Sequence, residues 1–217
     1  TRFLEGWDKN LSVGFSGSEG DTDEADVLAG ITLAYTDERR HWEIDGRYEL
    51  SYADNDIDDH NAKATVLRDH LFPESRWFFF NYLGYDYDDY EAWEHRVSTG
   101  MGPGYRIIPK GAFQLTARSG PFLTYEFGDE DDARPEGAFG LFALWTIREG
   151  NTVRLSDIFL QTLDHWEYRN ISRLEWKIRV WATRGLSLKF GVDNEYDSAS
   201  EDSKNNLKYY TALNFDL

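Results

Sequence analysis

Ionisable residues recur at every second position in several stretches of this chain. Glu43, Asp45, Arg47 and Glu49 form one such run, and Glu94 and Arg96 another. Arg118 and Glu126 share one parity, as do Arg169, Arg173, Glu175, Lys177 and Arg179, and then Lys189, Asp193 and Glu195. In an extended chain alternate side chains point to opposite sides, so each run makes a charged face. The intervening positions are apolar: Trp42, Ile44, Tyr48 and Leu50 in the first run, Leu174, Trp176, Ile178 and Val180 in the longest. Charged faces that share an interior can pair with one another and fill it. They can also line an aqueous pore whose charge selects solutes. Both readings stand. The Arg169–Arg179 cluster favours anionic solutes if it faces open water, and pairing with Glu43, Asp45 and Glu49 is its other use.

Other constellations carry less. Asp54, Asp56 and Asp58 imitate the start of a calcium loop, but the sixth position is Asp59 rather than Gly and the twelfth is Thr65 rather than Glu. The acidic segments therefore read as a solvated rim, with diffuse cation binding as the alternative. Gly100, Gly102 and Gly104 repeat every second residue within a strand pattern, without the helix that a phosphate-cradling loop requires. They read as lumen-facing positions that leave room for bulky groups opposite. Of the histidines 41, 60, 70, 95 and 165, only His95 has a nearby hydroxyl, Ser98, and the odd spacing puts the two on opposite faces. Asp164-His165 is the remaining acid–base pair. No nucleophile with a base beside it emerges, so neither an enzyme nor a cofactor is expected, and an outer-membrane hydrolase stays only as a second alternative.

The elements that position these groups are strands. Leu11, Val13 and Phe15 alternate with polar residues. Val27, Ala29, Ile31, Leu33 and Tyr35 share a face, and Trp42 to Tyr52 forms a third strand. Residues 61–72 and 76–87 read as the fourth and fifth, although Trp77-Phe78-Phe79-Phe80 hides which face is which. Trp93–Ile107, Phe113–Phe127 and Phe139–Ile147 follow, then a weakly alternating stretch near 152–163. The last three lie near 169–180, 186–195 and 209–217, the chain finishing with Tyr209, Thr211, Leu213, Phe215 and Leu217 on one face. That ending suits a closed barrel, whose last strand pairs with its first. Acidic connections, expected to be long, alternate with short and often basic turns, the order of an up-and-down barrel with both ends on one side. Pro103 and Pro121 fall inside proposed strands, and each predicts a bulge or a strand end.

The totals agree with a transmembrane barrel. Mean hydropathy is −0.64, and no run of 18 apolar residues exists for a spanning helix. A barrel strand shows only alternate residues to lipid, so a polar average is no objection. Thirteen Tyr and eight Trp suit the two membrane–water boundaries. A net charge of −17 excludes nucleic acid as a partner. No cysteine is present, and the start at Thr1-Arg2-Phe3 has no leader, as expected of the mature form of an exported protein.

The chain also resembles the outer-membrane family known as putative salt-induced outer membrane proteins. The residues carrying the likeness are Trp7, Gly14 and Phe15 leading to Gly20-Asp21-Thr22-Asp23, and Arg96 with Gly100-Met101-Gly102-Pro103-Gly104-Tyr105-Arg106. Leu186-Ser187-Leu188 and Asn194-Glu195-Tyr196-Asp197-Ser198 complete it. Asp21 and Pro103 depart from the family's usual pattern. The resemblance implies an outer-membrane barrel and little about activity. The architecture is also similar to that of narrow twelve-stranded porins that pass acidic oligosaccharides.

The expectation is an all-β fold, a transmembrane up-and-down antiparallel β-barrel of about 12 strands forming one domain over residues 1–217. It places a monomer in a bacterial outer membrane with both termini periplasmic. The expected partners are lipid and lipopolysaccharide, the barrel-assembly machinery during insertion, and small polar solutes. The expected function is a narrow channel lined by the sixteen charged residues, with a non-conducting structural or adhesion barrel as the alternative.

Overall fold

The computed structural model describes residues 4–19, 24–53, 56–88, 93–128, 131–164, 166–199 and 204–217. His165 and the acidic stretches 20–23, 54–55, 89–92, 129–130 and 200–203 lie outside them, and with them part of the acidic rim read as solvated. The strands are β1 Asp8–Glu19, β2 Glu24–Thr36, β3 Arg40–Ala53, β4 Asp56–Leu71, β5 Trp77–Asp88 and β6 Trp93–Ile108. They continue with β7 Phe113–Gly128, β8 Asp132–Arg148, β9 Asn151–Thr162, β10 Tyr168–Trp181, β11 Leu186–Asp197 and β12 Asn205–Asp216. Each pairs antiparallel with its neighbours in sequence. β1 and β12 close the ring, from Asn10 opposite Asp216 to Glu19 opposite Leu207. Closure leaves no strand edge, which hydrocarbon requires because it offers backbone groups no hydrogen bonds.

Parity sorts the faces. Val13, Ile31, Leu83, Leu123, Leu174 and Leu213 point outward and are exposed. The ambiguous aromatic run separates cleanly: Phe78 and Phe80 are 2% and 3% exposed on the inside, while Trp77 and Phe79 are 55% and 38% exposed outside. Aromatic pairs form a belt near the short turns, Trp7 with Tyr35 and Trp77 with Tyr105 at ring distances of 5.6 and 4.8 Å. At the acidic end Tyr125 meets Phe127 at 4.5 Å, and Tyr168 stacks on Phe159 and Tyr196. Amphipathic rings settle at such boundaries.

Two expectations are corrected. The acidic connections are not long loops: β3 ends at Ala53 and β4 begins at Asp56, β7 ends at Gly128 and β8 begins at Asp132. β6, β7 and β8 have 16, 16 and 17 residues, more than the roughly 9–11 needed to cross a bilayer. The surplus continues the hairpins at the acidic end.

The prolines mark neither a bulge nor a strand end. The register shifts of the β6–β7 ladder fall at Trp93/His95 and Arg106/Ile108 instead. Between Gly100 opposite Phe122 and Gly104 opposite Arg118, that ladder is interrupted without any change of register. Pro103 still pairs with Phe79 on β5, and Pro121 with Gly137 on β8. Both missing N–H groups therefore fall on the one seam between β6 and β7. A Cβ on Gly102 would overlap the Ser119 carbonyl, and one on Gly120 the Met101 carbonyl. Because those positions carry no side chain, the two backbones close over the gap.

Candidate functional site

The lumen has two unlike walls. From β5 to β8 the inward residues are rings and glycines: Phe78, Phe80, Tyr82, Phe122 and Phe142, with Gly84, Gly100, Gly104 and Gly140. A Cβ on Gly100 would overlap the Phe122 ring, and one on Gly104 the Phe78 ring, so the glycines are sockets for neighbouring aromatics. Arg118 enters this wall between Phe78 and Phe142, its guanidinium carbon 5.3 and 4.5 Å from the ring centres, and bonds Asp69 at 2.7 Å.

The charged groups occupy three levels, the uppermost drawing on the acidic ends of β5 to β8 and the lower two on the opposite wall. Toward the acidic end Arg96 lies 3.3 Å from Asp86 and 3.7 Å from both Glu126 and Glu195, over the Trp93 ring. Arg169 reaches Glu136 at 3.8 Å and Glu195 at 3.7 Å, and Arg134 holds Glu126 at 3.0 Å. Glu94 is exposed beside the β6 register shift.

At mid-height Asp193 takes Arg47 at 2.8 Å and Arg173 at 2.9 Å, and Glu49 takes Lys208 at 3.3 Å. Glu175 accepts Lys189 at 2.8 Å and the Tyr210 hydroxyl. Nearer the short turns Asp45 accepts the Thr32 hydroxyl at 2.7 Å, and Arg154 approaches Glu43 at 4.0 Å. Lys177 meets Asp216 at 2.8 Å and Arg179 meets Glu149 at 3.5 Å.

Several of these pairs cross the bore rather than run along its wall. β6 and β11, joined by Arg96 and Glu195, stand almost opposite in the ring of strands, and β9 and β3, joined by Arg154 and Glu43, stand opposite. Glu49, Arg96, Glu126 and Arg169 are only 4–7% exposed, while Arg173 at mid-height keeps 40% of its side chain exposed. The lower level differs. A cavity of about 270 Å³ there is lined by Arg154, Lys177, Arg179 and Lys189, with Glu175 the one carboxylate among its walls. Arg154 is 55% exposed in its side chain. The interior is thus an ion-paired constriction that widens into a cationic vestibule beside the short turns.

Fifteen of the sixteen charged residues singled out above share the lumen-side parity of their strands; Glu94 is exposed at the register shift and joins none of these pairs. Sequence reasoning missed Asp69, Asp86, Arg134, Glu136, Arg154, Lys208 and Tyr210. Asp69 and Asp86 sit in the stretch where the aromatic run hid the faces, and Arg154 in the weakly alternating ninth strand. No group of His, Cys, Asp and Glu among the described residues has metal-site geometry.

A family model matches residues 11–216. The chain belongs to the family described as protein of unknown function, DUF481. No curated protein matches it in sequence. Among solved structures it is similar to the NanC porin, with a TM-score of 0.66 and 7% identity over 95% of this chain and all of that one. It is also similar to the COG4313 outer membrane channel of Pseudomonas putida F1, with a TM-score of 0.57 and 12% identity over 97% and 95% of the two chains. A third likeness is to the outer membrane phospholipase A of Escherichia coli, with a TM-score of 0.53 and 8% identity over 96% of each. A porin, a channel and an enzyme share this architecture. The likeness therefore establishes the fold of outer-membrane barrels and leaves the activity to the lumen's own chemistry.

Proposed function

We propose that this protein is an outer-membrane channel for small anionic solutes, held closed in this conformation by ion pairs across its bore. The cationic vestibule carries the reading. Four basic side chains line the cavity at one end of the lumen, with Glu175 the one carboxylate among its walls. An entering anion competes with Glu43, Asp216, Glu149 or Glu175 for those cations, and the released carboxylates can swing aside. In this reading the short turns and both chain ends face the periplasm, and the acidic rim faces outward beside lipopolysaccharide.

The test is conductance in planar bilayers. The wild type should give small, infrequent steps with anion preference. Arg154→Glu with Arg179→Glu should reduce or reverse that preference, and Glu43→Gln, which frees Arg154, should lengthen the openings. A second reading is a non-conducting barrel with structural work only, favoured by the near-complete burial of Arg96 and Glu126. Silence of the wild type and all variants at every voltage would select it.

A further inference from the structure

The outer face of β9 and β10 carries a polar cluster where hydrocarbon is expected. Asp157 pairs in register with Leu141 on β8 and Ser172 on β10 and shares their outward parity. Along β10 it lies between the boundary ring Tyr168 and Trp176, and so at mid-height. The Ser172 hydroxyl donates to Asp157 Oδ1 at 2.6 Å, and the Asn170 amide donates to the same oxygen at 3.1 Å. Asp157 Oδ2 accepts nothing among the described residues. The second Asn170 contact, to the Ile158 carbonyl at 3.3 Å, is long for a hydrogen bond. Around the cluster the face is greasy, with Leu155, Phe159, Leu174 and Trp176 all exposed. The connection above it carries Leu163 and Trp166, 68% and 93% exposed, amid an otherwise acidic end.

An ionisable group facing acyl chains is expensive and asks for a partner. We propose that this face is the contact between two copies of the chain, related by a two-fold axis along the barrel. The cluster is self-complementary. Asn170 of each copy can turn its weakly held N–H to the open Oδ2 of the other copy's Asp157, giving two reciprocal bonds in a medium without water. Small polar groups serve as such glue between membrane segments. Leu163 and Trp166 extend the same contact above the bilayer. The assembly is thus a dimer rather than the expected monomer, and the proposal does not depend on whether the lumen conducts.

The chain has no cysteine, so single-cysteine cross-linking in phospholipid vesicles is clean. Leu174→Cys, beside the cluster, should give a disulfide-linked dimer, while Leu83→Cys on β5 should not. Adding Asp157→Leu to Leu174→Cys should weaken dimerisation about tenfold, the size expected from two such bonds. Folding is followed separately by the heat-modifiable migration of the barrel on gels, and Asn170→Leu replaces Asp157→Leu if the latter does not fold. Equal yields at both cysteines, no dimer at either, or a dimer indifferent to both substitutions leaves this face to lipid and overturns the proposal.

Discussion

Cutting a buried ion pair is costly mainly through the charge left behind, and this lumen offers two sites that separate that effect from the bond itself. Asp69 is the carboxylate bonded to Arg118, whose guanidinium is held between two phenylalanine rings and whose side chain is 12% exposed. Asp69→Ala leaves that cation buried with no counter-charge, which costs about 3–5 kcal/mol. Arg96 touches three carboxylates, and at first sight should matter more. Each of the three keeps a second cation, however: Asp86 has Lys63 at 3.9 Å, Glu126 has Arg134 at 3.0 Å, and Glu195 has Arg169 at 3.7 Å. Arg96→Met also retains a long apolar stem against Trp93. Its expected cost is about 2–3 kcal/mol, below that of Asp69→Ala despite the larger number of bonds removed. Urea unfolding in lipid vesicles, followed by the fluorescence of the eight tryptophans, measures both. If Arg96→Met proves as damaging as Asp69→Ala, the carboxylates are not shared in the way the distances imply, and the mobile-partner account of the lumen fails with them.

Two further outcomes follow from the same geometry. Gly104→Ala pushes against the Phe78 ring, which can turn, for about 1–3 kcal/mol. Gly102→Ala meets the backbone of β7 and should cost more, to the point of lost folding yield, and the reverse order would refute the close-approach account of the proline seam. In the β2–β3 turn Asp37 accepts the N–H groups of Arg39 and Arg40 at 2.8 and 2.7 Å and pairs with the Arg40 guanidinium. The Arg39 N–H above all, and then the Arg40 contacts, hold its carboxyl below the usual carboxylate range. Its contribution is therefore complete above that range and is lost as pH falls through the lowered value. A carboxyl carbon NMR titration should show this, and a midpoint at or above the ordinary value would exclude it.

The fold was legible because one physical rule, apolar outward and ionised inward, writes a period of two along every strand. The rule fails where both faces are apolar, as at Trp77–Phe80, because rings fill the lumen wall as well as the membrane face. It also weakens on β9, where Asp157 faces outward and Ile158 and Leu160 inward, so the faded alternation was itself the trace of the polar cluster. Pro103 and Pro121 misled for a different reason. A single proline in a ladder asks for a bulge, but two that face the same seam share one gap, and their pairing across strands is a matter of register that spacing does not show. The partners of the lumen charges were hidden for the same reason. Parity places Glu43 inside, but only the stagger of the closed ring brings β3 face to face with β9 and its Arg154.

That stagger divides the lumen into a wall that is fixed and a wall that can rearrange. On β5 to β8 the rings are seated against glycines where even a Cβ would overlap them, so widening the bore there means displacing closely packed rings. On β10 to β12 and β3 the carboxylates stand between alternative cations: Asp193 between Arg47 and Arg173, Glu49 between Arg47 and Lys208, Glu195 between Arg96 and Arg169. Exchanging one cation for another needs rotation of long side chains and no strand displacement. In the proposed channel, opening is therefore a repartnering along the ionic wall, with the aromatic wall as the surface against which it moves.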